Sequence, residues 1–223
     1  MNSNVFEIKN LKKSYGKKTI IDIDHLAISR DGITCLMGRN GSGKTTLIRL
    51  LALVEQPDSG EILFNGEPLP KSERERLALR RKMGVIWQNP AMFNMTVYQN
   101  LILALRLRGI DKKTIEQKAE EISERLSLYS LWNKFPSQLS GGESQKVSIA
   151  RTLIYSPEII FVDEPNTYLD EDNQRITEEI VMNYVQEEKK TAIIVTHSSD
   201  QAQRLAKNIV RLVNGKVAPG SPE

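Results

Sequence analysis

A glycine-rich segment between an apolar strand and an apolar helix constrains this chain most. The segment Gly38–Thr45 has the pattern G-x-x-x-x-G-K-T, and the apolar run Ile33–Met37 precedes it. Leucines and isoleucines follow from Leu47 at spacings that favour a helix. A glycine turn in this position lets backbone N–H groups surround a phosphate at the positive end of a helix. The pattern therefore predicts an α/β fold with a phosphate-binding loop, in preference to a chance glycine turn.

The side chains of this loop are suited to a nucleoside triphosphate and its metal ion. Lys44 can reach the β- and γ-phosphate oxygens, and the Thr45 hydroxyl can bind Mg²⁺. The predicted binding residues are Gly38, Arg39, Asn40, Gly41, Ser42, Gly43, Lys44, Thr45 and Thr46.

The composition limits the classes of protein to which this chain can belong. The chain has 223 residues, of which 39% are apolar, so it can bury a substantial core. Its formal charge of +3 is spread along the sequence, which predicts no nucleic-acid partner. The single cysteine, Cys35, lies in an apolar strand and allows no internal disulfide framework. No apolar run reaches the roughly 18 residues that span a bilayer, and residues 1–7 show no signal segment, so we expect a cytoplasmic protein.

The order of elements changes along the chain. Short strands are expected from Val5 to about Ile28, and a helical segment from about residue 91 to 155, with Asp111 as a helix N-cap. Strand and helix then alternate again. The continuous apolar runs Ile159–Val162 and Ala192–Val195 favour strands buried in a parallel sheet. We expect a further short strand at Val85–Gln88 and a terminal hairpin strand at Ile209–Val213.

Polar residues follow three of these predicted strands, where ligands bind in α/β sheets. Asp163 comes directly after four apolar residues and is suited to hold Mg²⁺, while Glu164 can polarise a water that attacks the γ-phosphorus. His197 can donate a hydrogen bond to a γ-phosphate oxygen. The Gln88 amide could meet both Mg²⁺ and the attacking water. Alone, a histidine or a glutamine at such a position is weakly informative.

A second phosphate-binding device occurs at Leu139–Glu143, with the sequence LSGGE. Ser140, Gly141 and Gly142 precede a helical segment, so their polar groups can form an anion site at its N-terminus. The chain thus has two phosphate-binding segments but only one obvious set of magnesium ligands. This imbalance predicts that a second copy of the chain completes the nucleotide site.

Together, these motifs resemble the ATP-binding subunits of ABC transporters over nearly the whole chain, from Tyr15 to about Gly215. Gly38–Thr46 is similar to the Walker A loop, Ile160–Glu164 to Walker B, and Leu139–Glu143 to the signature motif. Gln88 and His197 resemble the Q-loop glutamine and the switch histidine. Tyr15 matches the aromatic residue on which adenine stacks, and residues 166–170 stand at the D-loop.

Four residues depart from the family pattern. Glu143 replaces the usual glutamine of the signature, and Lys146 stands where arginine is frequent. Thr167 and Tyr168 replace the common Ser-Ala of the D-loop, which places a bulky ring near the expected dimer contact. None of these changes removes a catalytic group.

The resemblance implies a single ABC ATPase domain over residues 1–223. Its P-loop core has a mixed, mostly parallel sheet and, together with an N-terminal antiparallel β subdomain, covers about 1–90 and 156–223. An inserted helical subdomain covers about 91–155. It also implies that Glu164, His197, Gln88 and Lys44 act in ATP hydrolysis. Mg²⁺ would be held by Thr45, Gln88 and Asp163. The signature residues, with Glu143, would cap ATP bound to a second subunit in a head-to-tail homodimer.

The implied partners place the chain at the inner face of the cell membrane, bound to integral membrane permease subunits. The stretches Leu50–Gly66 and Val97–Gly109 look most like importers of tungstate or related oxyanions, with amino-acid importers close behind. Such importers work with an extracytoplasmic solute-binding protein. Met92, Phe93 and Met95 either line the groove for a membrane subunit or pack inside the helical lobe. Export-type ATPases, soluble ABC proteins acting on ribosomes, ATP-binding scaffolds and P-loop kinases are the alternatives.

Overall fold

A computed structural model describes residues 4–164 and 171–219. Within these ranges the strands are β1 Asn4–Tyr15, β2 Lys18–Ser29, β3 Gly32–Met37, β4 Ser59–Phe64, β5 Glu67–Pro68, β6 Met83–Ile86, β7 Ile159–Asp163, β8 Thr191–Thr196, β9 Asn208–Val213 and β10 Lys216–Val217. The α-helices are α1 Lys44–Leu51, α2 Glu73–Arg80, α3 Val97–Leu107, α4 Lys112–Leu126, α5 Gly141–Leu153, α6 Glu171–Glu187 and α7 Ser199–Leu205. The predicted D-loop, including Tyr168, lies outside the described residues.

An antiparallel sheet forms the N-terminal part of the fold, with strand order β2-β1-β4-β5. β1 and β2 form a long hairpin in which Tyr15 pairs with Lys18, so the turn consists of Gly16 and Lys17. Gly16 adopts φ +60°, a value that glycine reaches without a side-chain clash. The hairpin places Tyr15 at the end of the sheet.

A six-stranded sheet with the order β10-β9-β3-β8-β7-β6 contains the motifs. β3 pairs in parallel with both β8 and β9, and β7 pairs in parallel with β8. Because these strands are buried on both faces, they carry continuous apolar runs instead of alternating ones. The predicted mixed, mostly parallel sheet and the antiparallel N-terminal sheet are both present.

The two sheets share an aromatic core. Phe6 of β1 lies with its ring centroid 5.4 Å from that of Phe64 and 6.1 Å from that of Phe161 on β7. Phe6 and Phe161 are fully buried. Such tilted aromatic contacts add about 0.5–1.5 kcal/mol each to the apolar burial. They anchor β7, which carries Asp163, against the N-terminal sheet.

The chain divides into two compact units, one comprising residues 1–85, 158–164 and 178–223, the other residues 86–157 and 165–177. The second unit contains α3, α4 and α5. Asp111 is the N-cap of α4, as predicted, since its carboxylate accepts hydrogen bonds from the Thr114 N–H and hydroxyl. In the described part of the chain, no helix has both the length and the apolar composition to cross a membrane.

One strand boundary differs from the sequence prediction. The strand expected at Val85–Gln88 runs from Met83 to Ile86, so Trp87 and Gln88 follow it as part of a loop. Gln88 therefore lies two residues after the end of β6.

Candidate functional site: a phosphate-binding loop and its acidic partners

The register of the parallel sheet brings the predicted catalytic segments to one edge. Met37 of β3 is paired with Thr196 of β8, and Asp163 of β7 is paired with Val195 of β8. Each strand ends within a residue of these pairs. The glycine loop, Glu164 and His197 therefore leave the sheet at the same edge and the same height.

The loop Gly38–Gly43 has a backbone that requires its glycines. Gly38, Gly41 and Gly43 have φ values of +154°, +78° and +105°. A Cβ atom at Gly38 would lie 2.4 Å from the Leu212 carbonyl oxygen, and one at Gly43 would lie 2.7 Å from Ile21 Cδ1. At Gly41 no atom lies within 4 Å of the corresponding position. Gly38 and Gly43 thus seat the loop against its neighbours, whereas Gly41 keeps the outer backbone accessible.

Helix α1 begins at the end of this loop with features that favour an anion. No side chain caps its N-terminus, and its first turn contains no acidic residue. The N–H groups of a first turn have no partner within the helix, and the helix dipole adds positive potential there. The N-terminus of α1 can therefore bind phosphate oxygens with its backbone.

Lys44 is held at the loop by three oxygen atoms. Its side chain is 5% exposed, and Nζ donates hydrogen bonds to the carbonyl oxygens of Gly38 (2.8 Å) and Arg39 (3.2 Å). Nζ also lies 3.6 Å from Glu164 Oε1. A buried ammonium group needs such partners, because desolvation of an unpaired charge is costly. The contact with Glu164 joins the loop to the end of β7.

The Ser42 hydroxyl supports the fit of this loop to a phosphate group. Its Oγ is buried and has no hydrogen-bond partner among the described residues. A buried hydroxyl without a partner costs about 1–3 kcal/mol. A phosphate oxygen bound in the loop would provide an acceptor for it. The backbone and the Ser42 side chain therefore indicate the same ligand chemistry.

Asp163 and Thr45, the two residues predicted to bind a metal ion, lie in hydrogen-bond contact. Asp163 is 5% exposed, and burial is the main cause that raises the pKa of its carboxyl group above the ordinary value of 3.8. The Thr45 hydroxyl donates a hydrogen bond to Asp163, which acts in the opposite direction. A hydroxyl and a carboxylate side by side are oxygen ligands that Mg²⁺ accepts, with water and phosphate oxygens completing an octahedron. A divalent cation would also offset the unfavourable burial of the carboxylate.

Glu164 lies at the end of β7 in an unusual backbone conformation. Its φ is +46°, and its N–H donates a hydrogen bond to the Val195 carbonyl oxygen at 3.2 Å. The left-handed conformation costs a non-glycine residue about 1–2 kcal/mol. Strain of this kind often marks functional sites, where the surrounding structure holds the residue in place. Here it turns the chain sharply after the strand, with the Glu164 carboxylate beside Lys44.

His197 follows β8 and is exposed. It lines a cavity of about 850 Å³ together with the outer residues of the glycine loop and the end of β9. The lining residues are Met37, Gly38, Arg39, Asn40, Gly41, Ser42, His197, Ser199, Arg211, Leu212, Val213 and Asn214. None of these is acidic, and two are arginines. The cavity therefore suits an anionic ligand.

The roles predicted for Tyr15 and Gln88 stay predictions. Tyr15 is 46% exposed, and its hydroxyl donates a hydrogen bond to Glu55. Lys13 Nζ lies 5.6 Å from the centroid of the Tyr15 ring. An exposed ring fixed at its hydroxyl is suited to stack on a base. Gln88 is half-buried in the loop after β6.

The signature segment begins helix α5 in the second unit. Ser140 is the N-cap, and its Oγ accepts a hydrogen bond from the Glu143 N–H at 3.1 Å. The Glu143 carboxylate accepts in return from the Ser140 N–H at 2.7 Å, which completes a capping box. Gly141 is exposed at the first helical position. The segment is thus a formed helix start, and the exposed Gly141 leaves its backbone accessible to a ligand.

Lys134 is a neighbour of this segment that the sequence did not reveal. Its Nζ lies 3.0 Å from Glu143 Oε1. The pKa of Glu143 is lowered, chiefly by the Ser140 backbone hydrogen bond and next by Lys134. Lys134 lies nine residues before Glu143 with two short 3₁₀ turns nearby, and no helical or strand periodicity links the two positions. The lysine neutralises the carboxylate that replaces glutamine here.

Comparisons with known proteins agree with this geometry. The chain matches the family model described as ABC transporter over residues 21–167. It is 34% identical over 210 residues to the tungstate uptake system ATP-binding protein TupC of Peptoclostridium acidaminophilum, covering 94% of this chain and 95% of that protein. It is 35% identical to the sulfate/thiosulfate import ATP-binding protein CysA of Bradyrhizobium diazoefficiens, covering 97% of this chain but only 64% of that protein.

Solved structures show the same likeness. The structure of cbiO1 from Clostridium perfringens, part of the ABC transporter complex cbiONQ, superposes with a TM-score of 0.88 at 25% identity, covering 97% of this chain and 88% of that one. The ATP-binding cassette MJ0796, in a dimeric post-hydrolysis state bound to ADP and Pi, superposes with a TM-score of 0.87 at 28% identity, covering 95% and 96% of the two chains. The fold class predicted from the sequence is confirmed.

Proposed function

Because this chain belongs to the ABC transporter family, we propose that it is the ATP-hydrolysing subunit of an importer with separate membrane subunits. The observation that carries the ATPase assignment is the convergence of Lys44, the Thr45–Asp163 pair and Glu164 at one edge of the sheet. These groups supply phosphate binding, metal binding and water activation within a single site.

In this proposal each side chain has a defined task in hydrolysis. The backbone of the loop and Lys44 bind the β- and γ-phosphates, and Glu164 accepts a hydrogen bond from the attacking water. A bond forms from the water oxygen to the γ-phosphorus while the bond to the β–γ bridging oxygen breaks, giving ADP and phosphate. His197 donates a hydrogen bond to a γ-phosphate oxygen. Thr45 and Asp163 would hold Mg²⁺, with Gln88 as a further ligand, and the bound ion would supply positive charge beside the phosphate oxygens.

Tyr15 provides the base-binding part of the site in this proposal. The ring is exposed, and the hydrogen bond from its hydroxyl to Glu55 restricts its rotation. Stacking of a base on an aromatic side chain contributes about 1–3 kcal/mol. Stacking does not read the edges of the base, so this contact adds affinity with little selectivity.

The Ser140–Gly142 segment serves the second subunit. The N–H groups of Gly141 and Gly142 lie in the first turn of α5, where they have no partner within the helix, so they remain to bind an anion. The Ser140 hydroxyl, which is hydrogen-bonded to the Glu143 carboxylate, can join them by rotating. In a head-to-tail homodimer they cap the γ-phosphate held by the partner's glycine loop. Cleavage of the β–γ bond removes these shared contacts, and the dimer opens.

The loop before α3 is the contact that we propose for a membrane subunit. Asn100 is fully buried and clamps this loop: it accepts from the Phe93 N–H at 3.0 Å and donates to the carbonyl oxygens of Phe93, Met95 and Thr96 at 3.0–3.1 Å. Phe93 itself is 56% exposed, whereas Met92 and Met95 are partly buried. A rigidly held, exposed aromatic ring is the kind of anchor that partner proteins bind.

The substrate that we propose is tungstate or a related tetrahedral oxyanion. This rests on the similarity to the tungstate and sulfate/thiosulfate subunits, while methionine, iron and polyamine importers match at comparable identity. An extracytoplasmic solute-binding protein completes such a system. The chain would lie on the inner face of the membrane, bound through its permease partners.

Dimerisation is tested with Glu164→Gln, which keeps the shape of the side chain but removes the carboxylate that activates water. Sedimentation with Mg-ATP should show a stable dimer for this variant, and a monomer when Ser140→Ala and Gly141→Asp are added. Glu61→Gln, an exposed control on β4, should hydrolyse ATP normally. Persistent monomers of Glu164→Gln at saturating ATP would contradict the proposed dimer.

Transport is tested in a strain that lacks the gene. Uptake of labelled tungstate, sulfate and methionine is measured with an empty vector, the wild-type chain and Glu164→Gln. Tungstate uptake should be lost in the strain with the empty vector. The wild-type chain should restore it, and Glu164→Gln should not. Unchanged uptake of all three solutes would refute the oxyanion assignment, and loss of methionine uptake alone would reassign the substrate.

A further inference from the structure

A buried chain of hydrogen bonds joins helix α6 to the residue before His197. Glu178 of α6 is 9% exposed, and its Oε2 accepts from Arg204 of α7 at 3.0 Å. Glu178 Oε1 accepts from Gln201 Nε2 at 2.9 Å, and the Thr196 hydroxyl contacts Gln201 Oε1 at 2.5 Å. Thr196 is the last residue of β8. We refer to Glu178, Arg204, Gln201 and Thr196 as the Glu178 network.

The carboxylate at one end sets the direction of every bond in the network. A carboxylate only accepts hydrogen bonds, so Gln201 must turn its NH₂ group towards Glu178. The carbonyl oxygen of Gln201 then faces Thr196, and the Thr196 hydroxyl must donate to it. This leaves the lone pairs of Thr196 Oγ1 as acceptors for another group.

That group is the N–H of Ser198, which donates to Thr196 Oγ1 at 3.0 Å. The bond spans His197 and closes a tight turn around it. On the other side, Ser198 Oγ accepts the Gln201 N–H at 3.2 Å and caps helix α7. His197 is therefore the exposed residue of a turn whose flanking residues are both tied to Gln201, and through it to Glu178.

We propose that Glu178 is a positioning residue for His197, a role that rests on the proposed contact of His197 with the γ-phosphate. Glu178 lies 19 positions before His197 and does not face the cavity beside the glycine loop. Its charge holds Gln201 in one amide orientation, Gln201 holds the Thr196 hydroxyl, and Thr196 fixes the turn that presents the imidazole.

The test replaces Glu178 by glutamine, which keeps the side-chain volume but can donate as well as accept. Gln201 can then adopt either amide orientation, and the Thr196 hydroxyl loses its fixed direction. Glu179→Gln is the matched control, because it makes the same charge change at the exposed neighbouring position. Thr196→Val and Thr196→Ser form a second pair, since only serine retains the hydroxyl.

The first measurement needs no ATP. The chain contains two histidines, so His25→Gln assigns the imidazole proton resonances in NMR spectra. The His197 resonance should shift or broaden in Glu178→Gln and Thr196→Val, and should match the wild type in Glu179→Gln and Thr196→Ser. An unchanged His197 resonance in both Glu178→Gln and Thr196→Val would overturn the proposal.

The second measurement is a double-mutant cycle on ATP hydrolysis. Glu178→Gln should lower kcat by about 10-fold with KM within 2-fold, as expected for a misplaced group that acts in the transition state. In a His197→Ala background the same change should have less than a 2-fold effect. Equal losses in both backgrounds would overturn the positioning role. If His197→Ala alone leaves kcat unchanged, the proposed function of His197 fails, whereas the resonance measurement still decides whether Glu178 positions it.

Discussion

Replacing Gly38 by alanine tests how tightly the glycine loop is seated on its neighbours. The new Cβ would lie 2.4 Å from the Leu212 carbonyl oxygen and 2.6 Å from Ser42 Oγ. The serine side chain can rotate, but the carbonyl belongs to β9, and Leu212 is fully buried. The first contact is nearly 1 Å shorter than the roughly 3.3 Å at which carbon and oxygen atoms approach closely. The loop or the strand must therefore move.

The expected cost combines two terms. Overpacking of a closely packed site costs about 1–3 kcal/mol, and a backbone conformation that non-glycine residues avoid costs about 1–3 kcal/mol. Gly38→Ala should therefore lower the free energy of unfolding by about 2–6 kcal/mol. Gly41→Ala adds a Cβ into open space, so only the left-handed conformation costs energy, about 1–2 kcal/mol.

Urea unfolding followed by circular dichroism measures both variants. With an m-value of about 2–3 kcal/mol/M, a difference of about 2 kcal/mol separates their midpoints by roughly 0.7–1 M. Gly109→Ala, which has φ +73° and no atom within 4 Å of its Cβ position, controls for left-handed strain alone. It should match Gly41→Ala in stability but keep normal ATP affinity, which Gly41→Ala should lose. Equal midpoints for Gly38→Ala and Gly41→Ala would refute the steric reasoning.

Three further changes have defined outcomes. Asp163→Asn should raise the stability of the nucleotide-free protein at pH 7 and abolish ATP hydrolysis. Burial raises the pKa of this carboxyl group, so at pH values above its ordinary pKa of 3.8 the ionised form disfavours folding. The gain in stability, measured by thermal unfolding, should therefore shrink as the pH falls. Lys134→Met should increase the KM for ATP several-fold in the wild type but not in a Glu143→Gln background, because the lysine neutralises a carboxylate that is then absent; equal effects in both would contradict this role. Asn100→Ala should cost at least about 2 kcal/mol in urea unfolding, since it removes the partner of several partly buried backbone groups, and should release the Phe93 loop to proteolysis.

Much of the secondary structure could be predicted from local sequence patterns. The strand before the glycine loop, the helix after it and the Asp111 cap follow from apolar periodicity and from side chains that satisfy nearby backbone groups. The hairpin at Asn214-Gly215 also agrees with the structure, where these residues adopt φ values of +49° and +79°. Each of these features depends on residues within a few positions of one another, so a single sequence contains the information.

The arrangement of the site depends on contacts between residues far apart in the sequence. The 3.6 Å contact of Lys44 with Glu164 and the hydrogen bond from Thr45 to Asp163 exist because β3 and β7 both pair with β8 in a fixed parallel register. The motifs indicated that these residues act together, but no local pattern specifies strand order or register. Glu164, whose backbone is left-handed, likewise has its N–H hydrogen-bonded to the neighbouring strand β8.

The residue patterns alone predict the chemistry: a phosphate-binding loop, an acidic pair after a buried strand and a second anion-binding helix start. The folded chain adds the groups that hold these parts in place, such as Lys134 beside Glu143 and Glu178 behind His197. Motifs are local because several backbone groups of one segment must surround one ligand atom. Supporting contacts are set by the packing of whole elements, and a side chain from any position that reaches the site can provide them.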